Sequence, residues 1–252
     1  MHRTLRRSVT SAGSGTLAAG FRRLRAEKSR PSLADDAYQA IKARILSLEL
    51  RPGLFINEQT LSDVIGIGRM PVHQAVHRLK TEGLLDVIAR KGIVIRATSL
   101  NELRALLEAR GAVEPSIAAL AAERADARQI KAMRRLLAQS RAHLDQQRDR
   151  HRFMELDRAF HQAVAEAAAN TVLAEAQRPL HERSVRVWMV RVWAPDGLKM
   201  TQYEHERILE GIADHDPAAA RSAMTEHLDK LRARIIEGIT LNDKLVPAIW
   251  EG

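Results

Sequence analysis

The sequence predicts a mainly α-helical protein, in which an N-terminal winged helix-turn-helix precedes an all-α antiparallel bundle of about six helices. Aromatic residues make up only 4% of the 252 residues, while Ala, Leu, Arg and Glu are abundant, which favours helix over sheet. Helical periodicity runs almost unbroken from Ser99 to about Gly238, and β-like segments occur only before it. The predicted organisation is a flexible basic arm (1–30), the winged helix-turn-helix (31–97), a helical domain (98–240) and a C-terminal tail (241–252).

Three helices and a hairpin are predicted in the first of these folded regions. Helical patterns cover residues 33–48, 58–65 and 69–82, with Asn57 as the N-cap of the second helix and Leu61, Val64 and Ile65 turned inward. Pro71 stands in the first turn of the third helix, where a missing N–H does no harm. Residues 84–88 and 93–97 read as two strands joined by a basic tip, the wing.

The positive charge is concentrated at the front of the chain. Of the net charge of +9, residues 1–30 supply the most, since they hold eight basic residues and one acidic residue. Residues 31–97 hold nine basic and seven acidic residues, which leaves residues 98–252 neutral. Affinity for a polyanion such as DNA is therefore expected from the first third of the chain.

The chain contains no cysteine, so disulfides and thiolate metal sites are excluded and any metal must be held by His, Asp or Glu. No apolar run approaches the ~18 residues that would span a bilayer. The sequence therefore predicts a cytoplasmic protein that makes no contact with membranes.

Four residues of the helical domain are spaced to form a metal site. Asp157 and His161 lie four apart and project from one face of a helix. Asp216 and Pro217 start a new helix directly after the preceding one ends, so the two must form a tight hairpin. His205 and His227 then stand about 12 and 15 Å from the turn, at similar height on facing helices. Taken singly, each histidine is better explained as a surface or hydrogen-bonded core residue than as a metal ligand.

The helix-turn-helix itself consists of the helices at 58–65 and 69–82. The later of these two is the expected recognition helix, because it enters the major groove with its first residues at base edges. Arg69 can reach a guanine edge or a phosphate, and His73 and His77 follow on the same exposed side. The tip of the wing suits backbone contacts. The candidate DNA-binding residues are Arg69, His73, Gln59, Met70, His77, Arg90, Lys91 and Gly92.

Residues 38–97 resemble the DNA-binding domain of the GntR family of bacterial regulators. The resemblance rests on Pro52-Gly53, Asn57-Glu58, Ile65 to Arg69, Pro71-Val72, Ala75-Val76, Glu82-Gly83-Leu84 and Lys91-Gly92. Three positions depart from the family string: Gly68 replaces a hydroxyl N-cap, Met70 a phosphate-binding hydroxyl, and His73 an arginine that the family uses on DNA. The resemblance and these departures together predict a pseudo-palindromic operator altered from the family's usual one.

The helical domain resembles the FCD effector domain of the FadR branch, through Asp157 to His161, Ala168 to Asn170, Glu204 to Ile208, Ala220 to Met224 and His227-Leu228. In metal-binding members of that branch an aspartate and three histidines hold a divalent ion, which implies the ligands Asp157, His161, His205 and His227. The resemblance implies zinc foremost, with nickel and manganese as alternatives. A count of six helices is typical of the VanR-type subgroup.

The same resemblance implies a small carboxylic acid as effector. Arg110 and Glu114 match the family's Arg-x-x-x-Glu, and Arg110 is the first candidate for a carboxylate clamp. An internal ion pair between Arg110 and Glu114 is an equal alternative. His181 and Arg186 are further candidates on a long helix whose rotation the sequence does not fix.

The leading functional hypothesis is therefore a homodimeric, ligand-responsive transcription factor, most simply a repressor, rather than an enzyme. A constitutive DNA-binding protein with a purely structural metal is the first alternative. A metal-dependent hydrolase using the same ligands is the second, and it leaves the DNA-reading segment unexplained.

Overall fold

The computed structural model describes residues 32–145, 150–191 and 195–241. Over these residues the fold class is as predicted: a small sheet and three helices precede a bundle of six helices. The predicted basic arm (1–30) and all but the first residue of the predicted tail (241–252) lie outside the described residues. None of the described helices is long and apolar enough to cross a membrane.

The head, residues 32–97, contains helices α1 to α3 and strands β1 to β3. These elements are α1 (Leu33–Leu46), β1 (Phe55–Ile56), α2 (Glu58–Ile65), α3 (Arg69–Thr81), β2 (Leu85–Ile88) and β3 (Gly92–Ile95). The strands pair antiparallel in the order β1-β3-β2, with Ile88 opposite Gly92 and Phe55 opposite Val94. The wing is therefore the β2–β3 hairpin, and β1 closes its inner edge.

Capping side chains and one left-handed glycine set the helix boundaries of the head. Ser32 and Asp35 form a capping box at α1, and the Asn57 side chain accepts from the backbone N–H of Thr60 at 2.8 Å. Gly66 ends α2 at φ 68°, a conformation that glycine adopts without steric cost. α2 consequently begins and ends where the sequence pattern predicts.

Two details of the head differ from the prediction. Strand β1 is two residues long, too short to leave a periodic signal in the sequence. Val64 was predicted to face inward, but this residue is 46% exposed. Of the three apolar residues of α2, only Leu61 is fully buried in the head core.

The helical domain consists of α4 (Leu100–Arg124), α5 (Ala127–Asp145), α6 (Arg150–Ala167), α7 (Thr171–Arg191), α8 (Pro195–Ala213) and α9 (Pro217–Leu241). Its apolar core spans residues 103–235 and is separate from the core of the head, which spans residues 37–95. The Asp216 carboxylate accepts from the backbone N–H groups of Ala218 and Ala219, both at 2.9 Å, and so caps α9. α8 and α9 form the predicted tight hairpin.

The α8–α9 hairpin depends on a close backbone contact at Gly211. A Cβ atom at this position would lie 2.6 Å from the Ala220 nitrogen and 2.8 Å from its Cα, both backbone atoms that cannot move aside. Gly111, on the exposed side of α4, would meet nothing within 4 Å. The two glycines therefore form a matched pair for mutation.

We predict that Gly211→Ala lowers the free energy of unfolding by about 1–3 kcal/mol, because it forces α8 and α9 apart. Gly111→Ala is the control and is expected to leave stability unchanged or raise it by up to ~1 kcal/mol. Urea denaturation of both variants measures the difference. Equal midpoints for Gly211→Ala and the wild type would contradict the close contact.

Candidate metal centre and DNA-reading surface

Five buried side chains from four helices meet inside the bundle. α6 contributes Asp157 and His161, α7 contributes His181, α8 contributes His205 and α9 contributes His227. We call these five residues the histidine cluster. His205 and His227 lie on opposite arms of the hairpin with ring centroids 4.8 Å apart, and His161 lies 5.4 Å from His227. The structure thus brings together all four residues that the sequence nominates as metal ligands, and adds His181.

The donor atoms of the cluster converge. His161 Nε2 lies 3.2 Å from His205 Nε2, and Asp157 Oδ1 lies 3.6 Å from the same His205 atom. Two overlapping sets each have ligand atoms within 4.8 Å of one another: His161, His205 and His227, and Asp157, His161 and His181. Ligand atoms of a tetrahedral zinc site with bonds of about 2.0–2.1 Å stand about 3.3 Å apart. The spacing in the cluster therefore fits a divalent ion.

Two carboxylates outside the cluster fix the orientation of two of its rings. Glu114 lies 3.0 Å from His161 Nδ1, and Glu204 lies 2.9 Å from His227 Nδ1. Since an ionised carboxylate only accepts hydrogen bonds, each ring must carry its proton on Nδ1, and a neutral ring then has its lone pair on Nε2. Both histidines are thereby prepared to bind a metal through Nε2.

Each orienting carboxylate is itself held by an arginine. Arg110 donates to both Glu114 oxygens, from Nε at 2.6 Å and from Nη2 at 3.3 Å, and its Nη1 donates to Ser184 Oγ at 2.9 Å. Arg234 donates to both oxygens of Glu204 at 2.7 and 2.8 Å. The internal Arg110–Glu114 ion pair, one of the two alternatives for these residues, is thus present.

Burial favours the neutral form of three imidazoles, those of His181, His205 and His227. It lowers the pKa of His181, with help from the neighbouring His161 and Arg110, to about 4, and it holds the pKa of His205 well below its usual range. The pKa of His227 is lowered for the same reason, although its bond to Glu204 opposes the shift. Neutral imidazole is the form that binds metals.

The carboxylates remain ionised despite their burial. Burial by itself raises the pKa of Asp157 and of Glu114, but their neighbours together lower these pKa values by more: His181, His161 and His205 beside Asp157, and Arg110 and His161 beside Glu114. Among the described residues, three buried carboxylates (Asp157, Glu114 and Glu204) face two guanidinium groups (Arg110 and Arg234). Asp157 is therefore paired with imidazoles but with no arginine or lysine that the structure describes, a costly arrangement for a buried carboxylate that a bound cation would relieve.

His181 carries a buried nitrogen atom that lacks a hydrogen-bond partner among the described residues. This nitrogen, Nε2, lies 3.3 Å from Asp157 Oδ2, a long contact. Buried polar atoms are normally satisfied by protein, water or an ion. The donor set, its charge and this atom together fit a divalent ion bound in the cluster.

The space beside the cluster is small. A cavity of about 20 Å³ touches Arg110, Asp157, His161, His181 and His227, which is room for a water molecule but not for a multi-carbon acid. A larger cleft of about 150 Å³ opens between α6 and α7, and His181 forms a wall of both spaces. The side chain of Arg186, the remaining effector candidate, lies outside the described residues.

His181 was nominated from sequence for the effector, not for the metal. The polar residues Gln177, His181 and Ser184 recur at helical spacing, and all three lie on the buried face of α7. Glu204 was missed as an orienting group, although it directly precedes His205 in the motif. A buried polar stripe on each of two helices would have identified these residues.

A buried lysine joins the head to the helical domain. Lys42 of α1 donates to Tyr38 Oη at 2.7 Å, to Glu82 Oε2 at 2.8 Å and to Glu182 Oε2 at 2.7 Å. Burial by itself lowers the pKa of Lys42, but the Glu182 carboxylate raises it by more, so the ammonium group stays charged. Glu82 is the C-cap of α3 and Glu182 follows His181, so this contact connects the recognition helix to the histidine cluster.

The predicted DNA-reading residues lie on the exposed side of the head. Val72, Val76 and Leu79 of α3 are buried, whereas Arg69, Met70, His73 and His77 are exposed. On α2, the Gln59 side chain bonds to Asp63 at 2.8 Å. Arg90 and Lys91 lie at the exposed tip of the wing, where Arg90 adopts a left-handed conformation. DNA contact by these residues stays a prediction.

Gly92 has a structural explanation that the sequence did not reveal. Its φ is 99°, and a Cβ atom would lie 2.9 Å from the carbonyl oxygen of Ile56. The missing side chain therefore lets β3 approach β1.

We predict that the chelator-treated protein loses stability as the pH falls from about 6.5 to about 4. Over this interval the unfolded chain protonates His181 whereas the folded chain does not, so the unfolded state binds more protons and is favoured. Each such histidine contributes a slope of up to about 1.4 kcal/mol per pH unit. Denaturant unfolding across this range, with His181→Gln as a variant of shallower slope, measures the effect. Identical slopes for the two proteins would contradict it.

Two family models match the chain, one over the head and the other over the helical domain. The model described as "Bacterial regulatory proteins, gntR family" matches residues 33–95, and the FCD domain model matches residues 105–230. A regulator of the Nta operon from Aminobacter aminovorans is 29% identical over 196 residues, 76% of this chain and 89% of that protein. The Uxu operon regulator of Haemophilus influenzae is 25% identical over 232 residues, 83% of this chain and 86% of that protein.

Solved structures show the same fold. McbR/YncC of E. coli superposes with a TM-score of 0.74 at 19% identity, covering 82% of this chain and 98% of that one. A GntR regulator from Rhodococcus sp. RHA1 gives a TM-score of 0.68 at 19% identity with the same coverage. These comparisons do not distinguish the VanR-type subgroup, which stays a prediction. The chain belongs to the GntR family of DNA-binding transcriptional regulators and carries an FCD domain.

Proposed function

We propose that this protein is a metal-dependent, ligand-responsive repressor of the bacterial cytoplasm, which binds a pseudo-palindromic operator as a homodimer. The histidine cluster would hold one divalent ion, zinc foremost, with nickel or manganese as alternatives that the same donors accept. The observation that carries this proposal is the buried carboxylate of Asp157, which no described arginine or lysine pairs, beside converging imidazole nitrogens. Asp157, His161, His205 and His227 would be the ligands.

The charge of the site also favours an acidic effector. A divalent ion turns the net charge of the buried groups from −1 to +1, and one carboxylate would then neutralise it. When bound, the ion supplies a positive centre with coordination positions beyond the protein ligands. Arg110 lines the adjoining cavity and would be the second attraction for a small carboxylic acid.

An acid can reach the site only if side chains move, because the adjoining cavity holds about 20 Å³. His181 is the side chain best placed to move, since it separates that cavity from the α6–α7 cleft. Its neighbour Glu182 carries the ion pair with Lys42, which also holds Glu82 at the end of α3. Displacement of His181 would thereby shift the contact that positions the recognition helix. The effector would act through its different affinity for the two arrangements of the head.

The metal is tested by native mass spectrometry and by thermal unfolding with and without a chelator. We expect one divalent ion per chain and a lower melting temperature after chelation. His205→Ala should abolish both, whereas His77→Ala, which removes an exposed histidine of the head, should abolish neither. Equal metal content in the two variants would contradict the assignment.

The response is tested by DNA binding in the presence of a panel of small mono- and dicarboxylic acids. We expect at least one acid to change the affinity of the wild type by about tenfold or more. Glu182→Gln should reduce that change to about threefold or less, because the amide breaks the ion pair with Lys42 but keeps its shape. The control is Glu123→Gln, an exposed residue of α4, which should respond as the wild type does.

Two other outcomes separate the competing accounts. If no acid changes the DNA affinity of the wild type while chelation still lowers its melting temperature, the metal is structural and the regulator is constitutive. If acids act equally on Glu182→Gln and the wild type, the ligand response stands but does not pass through Lys42.

A further inference from the structure

One exposed histidine of the recognition helix is held in place by a different helix. His73 lies one turn after Arg69 on α3, and its Nδ1 lies 2.8 Å from the Glu58 carboxylate at the start of α2. Asn57 caps α2 directly before Glu58, which fixes the backbone at Glu58. The position of the His73 ring is thus set by the α2–α3 packing and not by α3 alone.

A second contact limits the ring from another side. The rings of His73 and His77 meet edge to face, with centroids 4.6 Å apart and planes at 72°. The His73 side chain nevertheless remains 49% exposed, and its Nε2 has no partner among the residues that the structure describes. One polar atom of an ordered ring therefore points away from the protein's own groups.

The Glu58 contact decides what that atom can do. An ionised carboxylate only accepts hydrogen bonds, so Nδ1 must be the donor and carry the proton. In a neutral ring, Nε2 is then a hydrogen-bond acceptor. In the major groove, cytosine N4 and adenine N6 are the amino groups that donate, whereas guanine presents only acceptors.

The position of His73 on α3 places its Nε2 where a recognition helix contacts bases. Residues in the first turns of a recognition helix reach base edges, and His73 lies on the exposed side of α3, beside the face at Val72 and Val76 that is buried in the head core. We propose that His73, oriented by Glu58, is a specificity-determining residue that accepts a hydrogen bond from the amino group of a cytosine or an adenine in the operator.

A plain surface ion pair is the competing explanation for the Glu58–His73 contact. Exposed ion pairs add little stability, so such a pair would leave base preference untouched when either partner is removed. The proposal instead makes both residues necessary for a preference at one operator position. An ordered ring also loses less conformational entropy on binding, which increases its discrimination.

The test is selection of operators by the full chain from a duplex pool with randomised half-sites, at pH 8. We expect the wild type to prefer cytosine or adenine at one position of each half-site by about three- to tenfold. His73→Ala should lose the preference there and keep it elsewhere. His73→Arg should select guanine at that position, because a guanidinium only donates.

Glu58→Ala should weaken the preference at the same position, since the ring is no longer oriented. Glu49→Ala, which removes an equal charge from an exposed site of the head, should keep it and controls for a general gain in DNA affinity. An unchanged preference in His73→Ala would overturn the proposal. So would a His73→Arg variant that selects the same base pair as the wild type at the position that His73→Ala affects.

Discussion

Burial of charge inside an apolar bundle is the constraint on which this structure depends. Asp157, Glu114 and Glu204 lie where unpaired charges are costly, so every polar neighbour has to be placed to compensate them. Arg110 pairs with Glu114 and Arg234 pairs with Glu204, while His181 and His205 lie beside Asp157. The helices are therefore arranged by their polar interior as much as by their apolar core.

The same constraint explains why the cluster connects to the head. His181 belongs to the polar interior, while the next residue, Glu182, leaves it to pair with Lys42 of α1. Because Lys42 is buried with two carboxylates and a tyrosine, its position cannot change without leaving one of them unpaired. These short, charged contacts form the route by which a change in the cluster would reach the end of α3 under the proposed function.

Much of this arrangement could be predicted from the sequence, where local chemistry decides the outcome. The Asn57 cap and Gly66 fix α2, and the Asp216-Pro217 start of α9 fixes the hairpin that brings His205 to His227. The approach of Gly211 to Ala220 and the rotation of α7 depend on packing between helices, which one sequence does not encode locally. For that reason the rotation of His181 toward the cluster was left open and Val64 was placed inward, while strand β1 was missed because it is only two residues long.

Anomalous diffraction from crystals of the full chain, purified without chelator and recorded on both sides of the zinc absorption edge, tests the central claim most directly. The account predicts one peak per chain inside the bundle, about 2.0–2.1 Å from the Nε2 atoms of His161, His205 and His227, with Asp157 completing the site. A peak at other residues, or X-ray fluorescence that shows no divalent transition metal in the crystal, would contradict it.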